Sequence, residues 1–109
     1  MIPCICIDDK NRPEVIPTSK WVKEGDEYHI THVYLHRFQD GGIQGVSLYE
    51  KPLDKSCAPY ETFRLTRFAF SEEGISQLIE LIKLCSELND FDIKKLIEES
   101  QLEIYETKD

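Results

Sequence analysis

The stretch KWVKEGDEYHITHVYL, residues 20–35, decides the fold. It contains the single Trp of the chain, then Gly25-Asp26, then a run rich in β-branched and aromatic residues. Because glycine accepts positive φ and aspartate bonds to local backbone, this pair favours a tight turn. The stretch therefore predicts a turn followed by a long strand from Tyr28 to Leu35. Neither face of that strand is cleanly polar, which predicts strong curvature and an inward face that changes along its length.

Shorter β segments are predicted on both sides of this strand. They are an apolar run at residues 2–7, a hairpin turn at 39–42, a return strand at 43–50 and a segment at 60–70. Gly45 in the return strand indicates a bulge or a close approach of backbone. The last segment alternates imperfectly, which predicts a break around Thr66.

After residue 70 the apolar period changes from strand to helix. Ser71 is a good N-cap, and apolar residues at helical spacing predict a helix over residues 72–88. A second helix is predicted at 91–100, and residues 102–106 alternate like a short strand. Strands followed by helices indicate an α+β fold. We expect a small SH3-like barrel of four or five strands over residues 1–70, with an acidic helical extension over 71–109 packed on it as one compact unit.

The charge is unevenly distributed along the chain. Residues 1–70 carry nine Lys/Arg and ten Asp/Glu, a net of −1, and residues 71–109 carry four and eleven, a net of −7, which together give −8. This balance disfavours general binding to nucleic acid, which depends on clustered Lys and Arg. No run approaches the length of a membrane span, and residues 1–4 do not resemble a signal peptide, so we expect a cytoplasmic protein with no membrane partner.

The cysteines and histidines form no standard metal or nucleophile motif. Cys4, Cys6, His32 and His36 could meet in a zinc site only with unusual spacing, so no metal and no other cofactor is expected. We expect buried, reduced thiols at most positions, with Cys57, in a loop, as the most exposed one. Asp8 and Asp9 could bind a cation, but adjacent acids after a strand more often form a solvated turn.

Arg64 and Arg67 are the charges most suited to a ligand, because both lie among aromatic residues in the part of the chain that is not acidic. Arginine beside aromatics can recognise phosphate, a nucleobase or a carboxylate. The alternative is that one of them pairs with Asp8, Asp9 or Glu61 and braces the barrel. The aromatics themselves could line a peptide groove of the kind that SH3-like barrels use. These aromatics are Trp21, Tyr28, Tyr34, Tyr49 and Tyr60.

Several short motifs also resemble a known group of proteins. They are CIDD at residues 6–9, IP at 16–17, KWVK at 20–23, GDEYHI at 25–30, PYE at 59–61 and FRLTRF at 63–68. In this order they resemble small SH3-like barrel proteins encoded by bacteriophages and mobile elements of gut bacteria. The resemblance covers about residues 4–70. It implies the barrel fold and a viral or mobile origin, and it supplies neither an activity nor catalytic residues.

The sequence therefore predicts a non-enzymatic module that binds a protein partner through Arg64, Arg67, Tyr60, Trp21 and Tyr28. The alternative is a phage counter-defence or host-takeover protein that binds a host protein or sequesters a nucleotide. A nucleic-acid-associated SH3-like protein is the third hypothesis. The wide apolar stripe of the 72–88 helix leaves room for a homodimer.

Overall fold

The computed structural model describes residues 1–35, 43–85 and 87–106 of the chain. Its elements are β1 (Ile2–Cys6), β2 (Glu27–Leu35), β3 (Ile43–Leu48), β4 (Phe68–Phe70), α1 (Glu72–Cys85), α2 (Asp90–Glu99) and β5 (Glu103–Ile104). Three short 3-10 turns lie in the connections, at Thr18–Lys20, Lys55–Cys57 and Leu65–Arg67. The fold is α+β, with one five-stranded sheet and two helices. The predicted hairpin turn at residues 39–42 lies outside the described residues.

The sheet has the order β3-β2-β1-β4-β5. The first three pairs are antiparallel and β4 pairs with β5 in parallel. In the described part of the chain the hydrogen-bonded ladder does not close into a barrel. Phe63 adds one isolated antiparallel bridge to Val46 on β3. Because β5 belongs to this sheet, residues beyond 70 contribute to the same layer as the earlier strands.

Strand β2 changes its inward face, as its pattern predicts. Tyr28 and Ile30 are buried, whereas His32 is exposed and Val33 is buried. The register with β3 shifts between Ile30 and His32, where one extra residue is accommodated. A bulge of this kind bends the strand and exchanges the faces that follow it.

Gly45 is a point of close backbone approach, which confirms the prediction from sequence. A Cβ atom there would lie 2.7 Å from the Cβ of Thr62 and 3.0 Å from the carbonyl oxygen of Phe63. Only glycine lets residues 62–63 come this close to β3. The contact supports the Val46–Phe63 bridge, whose two backbone hydrogen bonds measure 2.8 and 2.9 Å.

The segment 60–70 is broken where its alternation fails. After the bridge at Phe63 the chain makes the Leu65–Arg67 turn and only then enters β4, which pairs with β1. Thr66 is the middle residue of that turn. One short segment therefore contacts β3 before the turn and β1 after it.

Both helices begin with side-chain caps. The Ser71 hydroxyl accepts a hydrogen bond from the Gly74 amide at 3.0 Å, and the Asn89 side chain accepts from the Asp92 amide at 2.8 Å. Helix α1 ends at Cys85, earlier than the predicted residue 88. Residues 87–89 are not helical, and Asn89 adopts the extended conformation of the N-cap that begins α2.

The core lies between the sheet and the two helices. It joins strand residues such as Ile30 and Phe68 to Leu78 and Ile82 of α1 and Ile93 of α2. The helices therefore pack on the sheet through one continuous hydrophobic cluster.

The prediction that Cys57 is an exposed thiol is wrong. Its side chain is fully buried, because the Lys55–Cys57 turn folds the loop inward at this position. Cys4 and Cys6 are also buried, as expected.

Candidate peptide-binding groove

Arg67 is a buried cation that braces the fold. Its guanidinium Nη1 donates to the carbonyl oxygens of Lys10 at 2.8 Å and Asp8 at 3.2 Å, and lies 3.5 Å from the Asp8 carboxylate. The guanidinium carbon is 4.8 Å from the centroid of the Trp21 ring, within cation–π range. Hydrogen bonds from a charged donor are stronger than neutral ones, so this contact holds the start of loop 7–26 against the start of β4.

Trp21 completes what we call the Arg67 brace, formed by Arg67, Trp21 and the backbone of residues 8–10. The indole Nε1 donates to the carbonyl oxygen of Asp9 at 2.6 Å. The Trp21 ring lies 5.5 Å from that of Phe63, tilted by 47°. The indole ring therefore packs on Phe63, which bridges to β3, while its Nε1 atom holds loop 7–26 at Asp9.

Tyr28 is a core residue with a satisfied hydroxyl. It is 3% exposed, its ring meets that of Phe68 edge-on at 6.4 Å, and its hydroxyl accepts from the Lys23 amide at 2.8 Å. Burial raises the pKa of the Tyr28 phenol. This hydroxyl pins the turn at Gly25, whose φ of 93° is the left-handed conformation expected of glycine.

Loop 49–62 contacts loop 7–26, which the Arg67 brace holds in place. The Lys20 ammonium lies 2.6 Å from the Asp54 carboxylate, and the Lys51 ammonium donates to the Ser19 carbonyl at 3.0 Å. The Asp54 carboxylate also accepts from the Ser56 amide at 2.9 Å. Hydrogen bonds from Lys20 and Ser56 lower the pKa of Asp54 to about 2. The loop is thus positioned by two long-range contacts to residues 19–20 and by one local contact within its own turn.

Between this loop and the sheet lies a cleft of about 600 Å³, which we call the tyrosine groove. Tyr34 and Tyr60 are 46% and 43% exposed, and the buried Leu48 and Phe63 contribute to its lining. The Tyr34 hydroxyl accepts a hydrogen bond from the Ser47 hydroxyl at 3.2 Å. The remaining lining residues are Thr31, Lys51, Pro52, Leu53, Asp54, Lys55, Ala58 and Glu61.

The structure separates the five residues that the sequence proposes as a site. Trp21, Tyr28 and Arg67 point into the fold, whereas Tyr60 lines the tyrosine groove and Arg64 is exposed on the segment before the 3-10 turn. The pairing of Arg67 with Asp8 is the bracing alternative weighed from sequence. Among the aromatics proposed for a groove, Tyr34 and Tyr60 are the two that line this one.

Sequence reasoning missed the contribution of Pro52 and Leu53. An apolar pair between two lysines in a loop is a weak signal that could have indicated a binding wall. It could not indicate which strand faces that wall, because the Lys20–Asp54 contact joins residues 34 positions apart.

The titratable groups in the described residues show no assembled catalytic centre. Burial raises the pKa of Cys4 to about 12 and raises that of Cys6, so neither favours a thiolate. Nδ1 of His29 lies 2.5 Å from the Glu50 carboxylate, at the exposed end of β2. No group of three or more His, Cys, Asp or Glu able to hold a metal ion occurs in residues 1–35, 43–85 and 87–106.

The sequence matches no protein-family model, and neither curated proteins nor solved structures give a match. The resemblance to phage-encoded barrel proteins therefore stays a prediction. In the described part of the chain, neither helix is long and apolar enough to cross a bilayer.

Proposed function

We propose that this chain is a non-enzymatic protein-binding module, and that the tyrosine groove receives an extended segment of the partner. The observation that carries the proposal is the pair of half-exposed tyrosines, Tyr34 and Tyr60, on a cleft of about 600 Å³. Tyrosine supplies a large contact area at low cost in conformational entropy, and it is enriched at recognition surfaces.

We further propose that the fold is an SH3-like barrel in the cytoplasm of the cell that makes it. The support is the segment 63–70, which bridges β3 at Phe63, makes a 3-10 turn and then pairs with β1. That path brings the segment from one edge of the β3-β2-β1 sheet to the other, as partial closure requires. The bulge in β2 supplies the bend that a small barrel needs.

The chemistry of the groove favours a proline-containing or otherwise extended apolar peptide. Aromatic walls suit the polyproline conformation, which loses little entropy on binding. The rim carries Lys51 and Lys55 as well as Asp54 and Glu61, so charges of both signs are available to orient the peptide. Lys51 and Asp54 already contact the Thr18–Lys20 region, which leaves Lys55 and Glu61 as the charges that would set specificity.

The test compares two exposed tyrosines. A labelled library of proline-containing peptides is titrated against the wild-type protein, Tyr60→Ala and Tyr49→Ala. Tyr49 is 65% exposed but does not line the groove, so it is the matched control. We expect Tyr60→Ala to weaken binding by at least tenfold and Tyr49→Ala to change it less than twofold.

Equal losses in the two variants, or binding that neither variant changes, would place recognition elsewhere. Amide chemical shifts supply a second readout, because a peptide in the groove perturbs residues of β3 and loop 49–62 before those of the helices.

The alternative proposal is a phage counter-defence or host-takeover protein. Its protein-binding form uses the same groove. Its nucleotide-binding form rests on Arg64, since the Nη1 atom of Arg67 already donates to two carbonyl groups. Thermal-shift titrations with nucleotides, compared between wild type and Arg64→Met, would support this form if wild type alone were stabilised.

A further inference from the structure

A second cleft, of about 460 Å³, lies between α1 and the start of the sheet. We call it the α1 groove. Its residues are Met1, Ile2, Ile30, Thr31, Glu73, Ser76, Gln77, Glu80, Leu81 and Leu84. Leu84 is 85% exposed and Met1 is 69% exposed, so apolar side chains border the cleft without being covered. A scattered apolar residue needs no explanation, but two exposed ones on either side of the partly buried Leu81 in one cleft indicate a surface that a partner covers.

The helical side of the α1 groove is a single stripe. Glu73, Gln77, Glu80 and Leu84 follow one another at spacings of four, three and four residues, so they lie on one face of α1. At 1.5 Å per residue the stripe is about 16 Å long, or about three helical turns. A stripe of this length along a helix suits a second helix laid beside it.

The charge of the α1 groove is negative. Glu73 and Glu80 are its ionisable lining side chains, and Met1, which also lines it, carries one positive charge on its α-amino group. Residues 71–109 carry a net charge of −7. Lys83 is the nearest cation along the helix. Its ammonium lies 2.7 Å from Asp90 and 3.4 Å from Glu80, so it offsets part of the Glu80 charge and leaves Glu73 as the less compensated carboxylate. A second copy of the chain would place carboxylates against carboxylates, so the charge disfavours the homodimer that the helix stripe alone suggests.

We propose that the α1 groove binds a basic amphipathic helix of a partner protein. The apolar face of that helix covers Met1, Leu81 and Leu84. Two of its Lys or Arg residues, seven positions apart, meet Glu73 and Glu80, which are themselves seven positions apart. This surface is distinct from the tyrosine groove, and the module would hold its partner at two places.

The test uses a synthetic 18-residue amphipathic peptide with leucines on one face and two lysines seven positions apart at its border. A second peptide has glutamates in place of the two lysines. Binding is measured by fluorescence anisotropy at 0.15 M salt, with the full chain. We expect the lysine peptide to bind at least tenfold more tightly than the glutamate peptide.

Two matched double variants distinguish binding in the α1 groove from attraction to the overall negative charge of the chain. Glu73→Gln with Glu80→Gln removes two charges from the groove, and Glu98→Gln with Glu99→Gln removes the same number from the far end of α2. We expect a loss of about tenfold in the first variant and less than twofold in the second. Leu84→Ser should cost a further several-fold, and Tyr60→Ala, in the other groove, should have no effect.

Equal losses in the two charge variants would overturn the proposal, because they would show attraction to net charge only. Binding of both peptides with the same affinity would also overturn it. Sedimentation equilibrium adds a third outcome: a dimer that Leu84→Ser dissociates would show that a second copy is the occupant instead. Failure of the Tyr60 experiment would leave this result unchanged, so the two proposals fail separately.

Discussion

The Arg67 brace and the tyrosine groove use the same kinds of residue for opposite purposes. In the brace, the Arg67 side chain is 10% exposed and donates to two backbone carbonyl groups beneath the Trp21 ring. In the groove, Tyr34 and Tyr60 keep nearly half of their surface exposed beside two lysines. A cation among aromatic residues therefore indicates either packing or recognition, and burial of the side chains decides between them.

The two regions are connected through Phe63. Its ring packs on Trp21 of the brace, and the same residue lines the groove. Lys20 and Lys51 add polar contacts between loop 7–26 and loop 49–62. Damage to the brace should therefore disturb the groove, whereas damage to the exposed groove residues should leave the brace intact.

The largest expected effect comes from breaking the brace. Arg67→Met should lower the free energy of unfolding by about 3 kcal/mol, since it leaves the carbonyl groups of Asp8 and Lys10 without their donor. Arg64→Met is the control, because Arg64 is exposed three residues away, and it should change stability by less than about 0.5 kcal/mol. Urea denaturation followed by circular dichroism measures both. Similar losses in the two variants would refute the bracing role.

The second-largest loss of stability is expected at Gly45, where β3 lies close to the segment that contains Phe63. Gly45→Ala should cost about 2 kcal/mol, because the added Cβ would meet the Thr62 side chain at 2.7 Å and the Phe63 carbonyl at 3.0 Å. Removing the Thr62 side chain in the double variant with Thr62→Gly should recover part of that loss. A double-mutant cycle in urea would show this coupling, and strictly additive losses would argue that Gly45 matters only for its own backbone freedom.

The sequence could predict features that depend on neighbouring residues, but not contacts between residues far apart in the chain. The β2 bulge, the Gly45 approach, the break at Thr66 and the cap at Ser71 follow from local chemistry, and all four are present. Asp8, the acid beside Arg67, is 59 residues away from it, and Asp54, the partner of Lys20, is 34 residues away, so no local pattern could choose among the acids. The same limit made the burial of Cys57 unpredictable, because a loop position says nothing of the direction in which a 3-10 turn faces.

The positions of the β segments could be predicted from the sequence, but the way in which the strands pair could not. Alternation indicated β segments at residues 2–7 and 60–70, yet it could not show that β5 would pair in parallel with β4. Both residues of β5 are exposed, so their pattern carries no burial signal. The tyrosine groove was predictable only as a set of aromatic residues, because its shape depends on long-range contacts between two loops.

A third prediction applies one chemical change to both regions. Tyr28→Phe removes a hydroxyl that accepts from the Lys23 amide, and Tyr60→Phe removes one from the groove rim. We expect a loss of about 1 kcal/mol for Tyr28→Phe and a change near zero for Tyr60→Phe. Thermal and urea unfolding measure the difference. If the two variants were equally stable, the Tyr28 hydroxyl would have no part in holding the turn at Gly25.

The smallest expected effect tests the exposed ion pair in the groove wall. Hydrogen bonds from Lys20 and Ser56 lower the pKa of Asp54 to about 2 in the folded chain, below its ordinary value of 3.8. A carboxyl group with a lowered folded pKa stabilises the fold above its unfolded pKa and loses that contribution as pH falls through the folded value. Wild type should therefore melt slightly above Asp54→Asn at pH 5 to 7, and the difference should fall between about pH 4 and pH 2.

The variant isolates Asp54, because the two proteins differ in that one carboxyl group. Melting temperatures at pH 7, 5, 4, 3 and 2 give the curve, and raising the salt concentration at pH 7 should shrink the difference, since both partners are exposed to solvent. A difference that persists unchanged at pH 2 would mean that Asp54 acts through its turn geometry and not through its charge. Arg67→Met offers the contrast, since the two carbonyl acceptors of this buried cation carry no titratable charge, so most of its loss should persist at high salt and at pH 2.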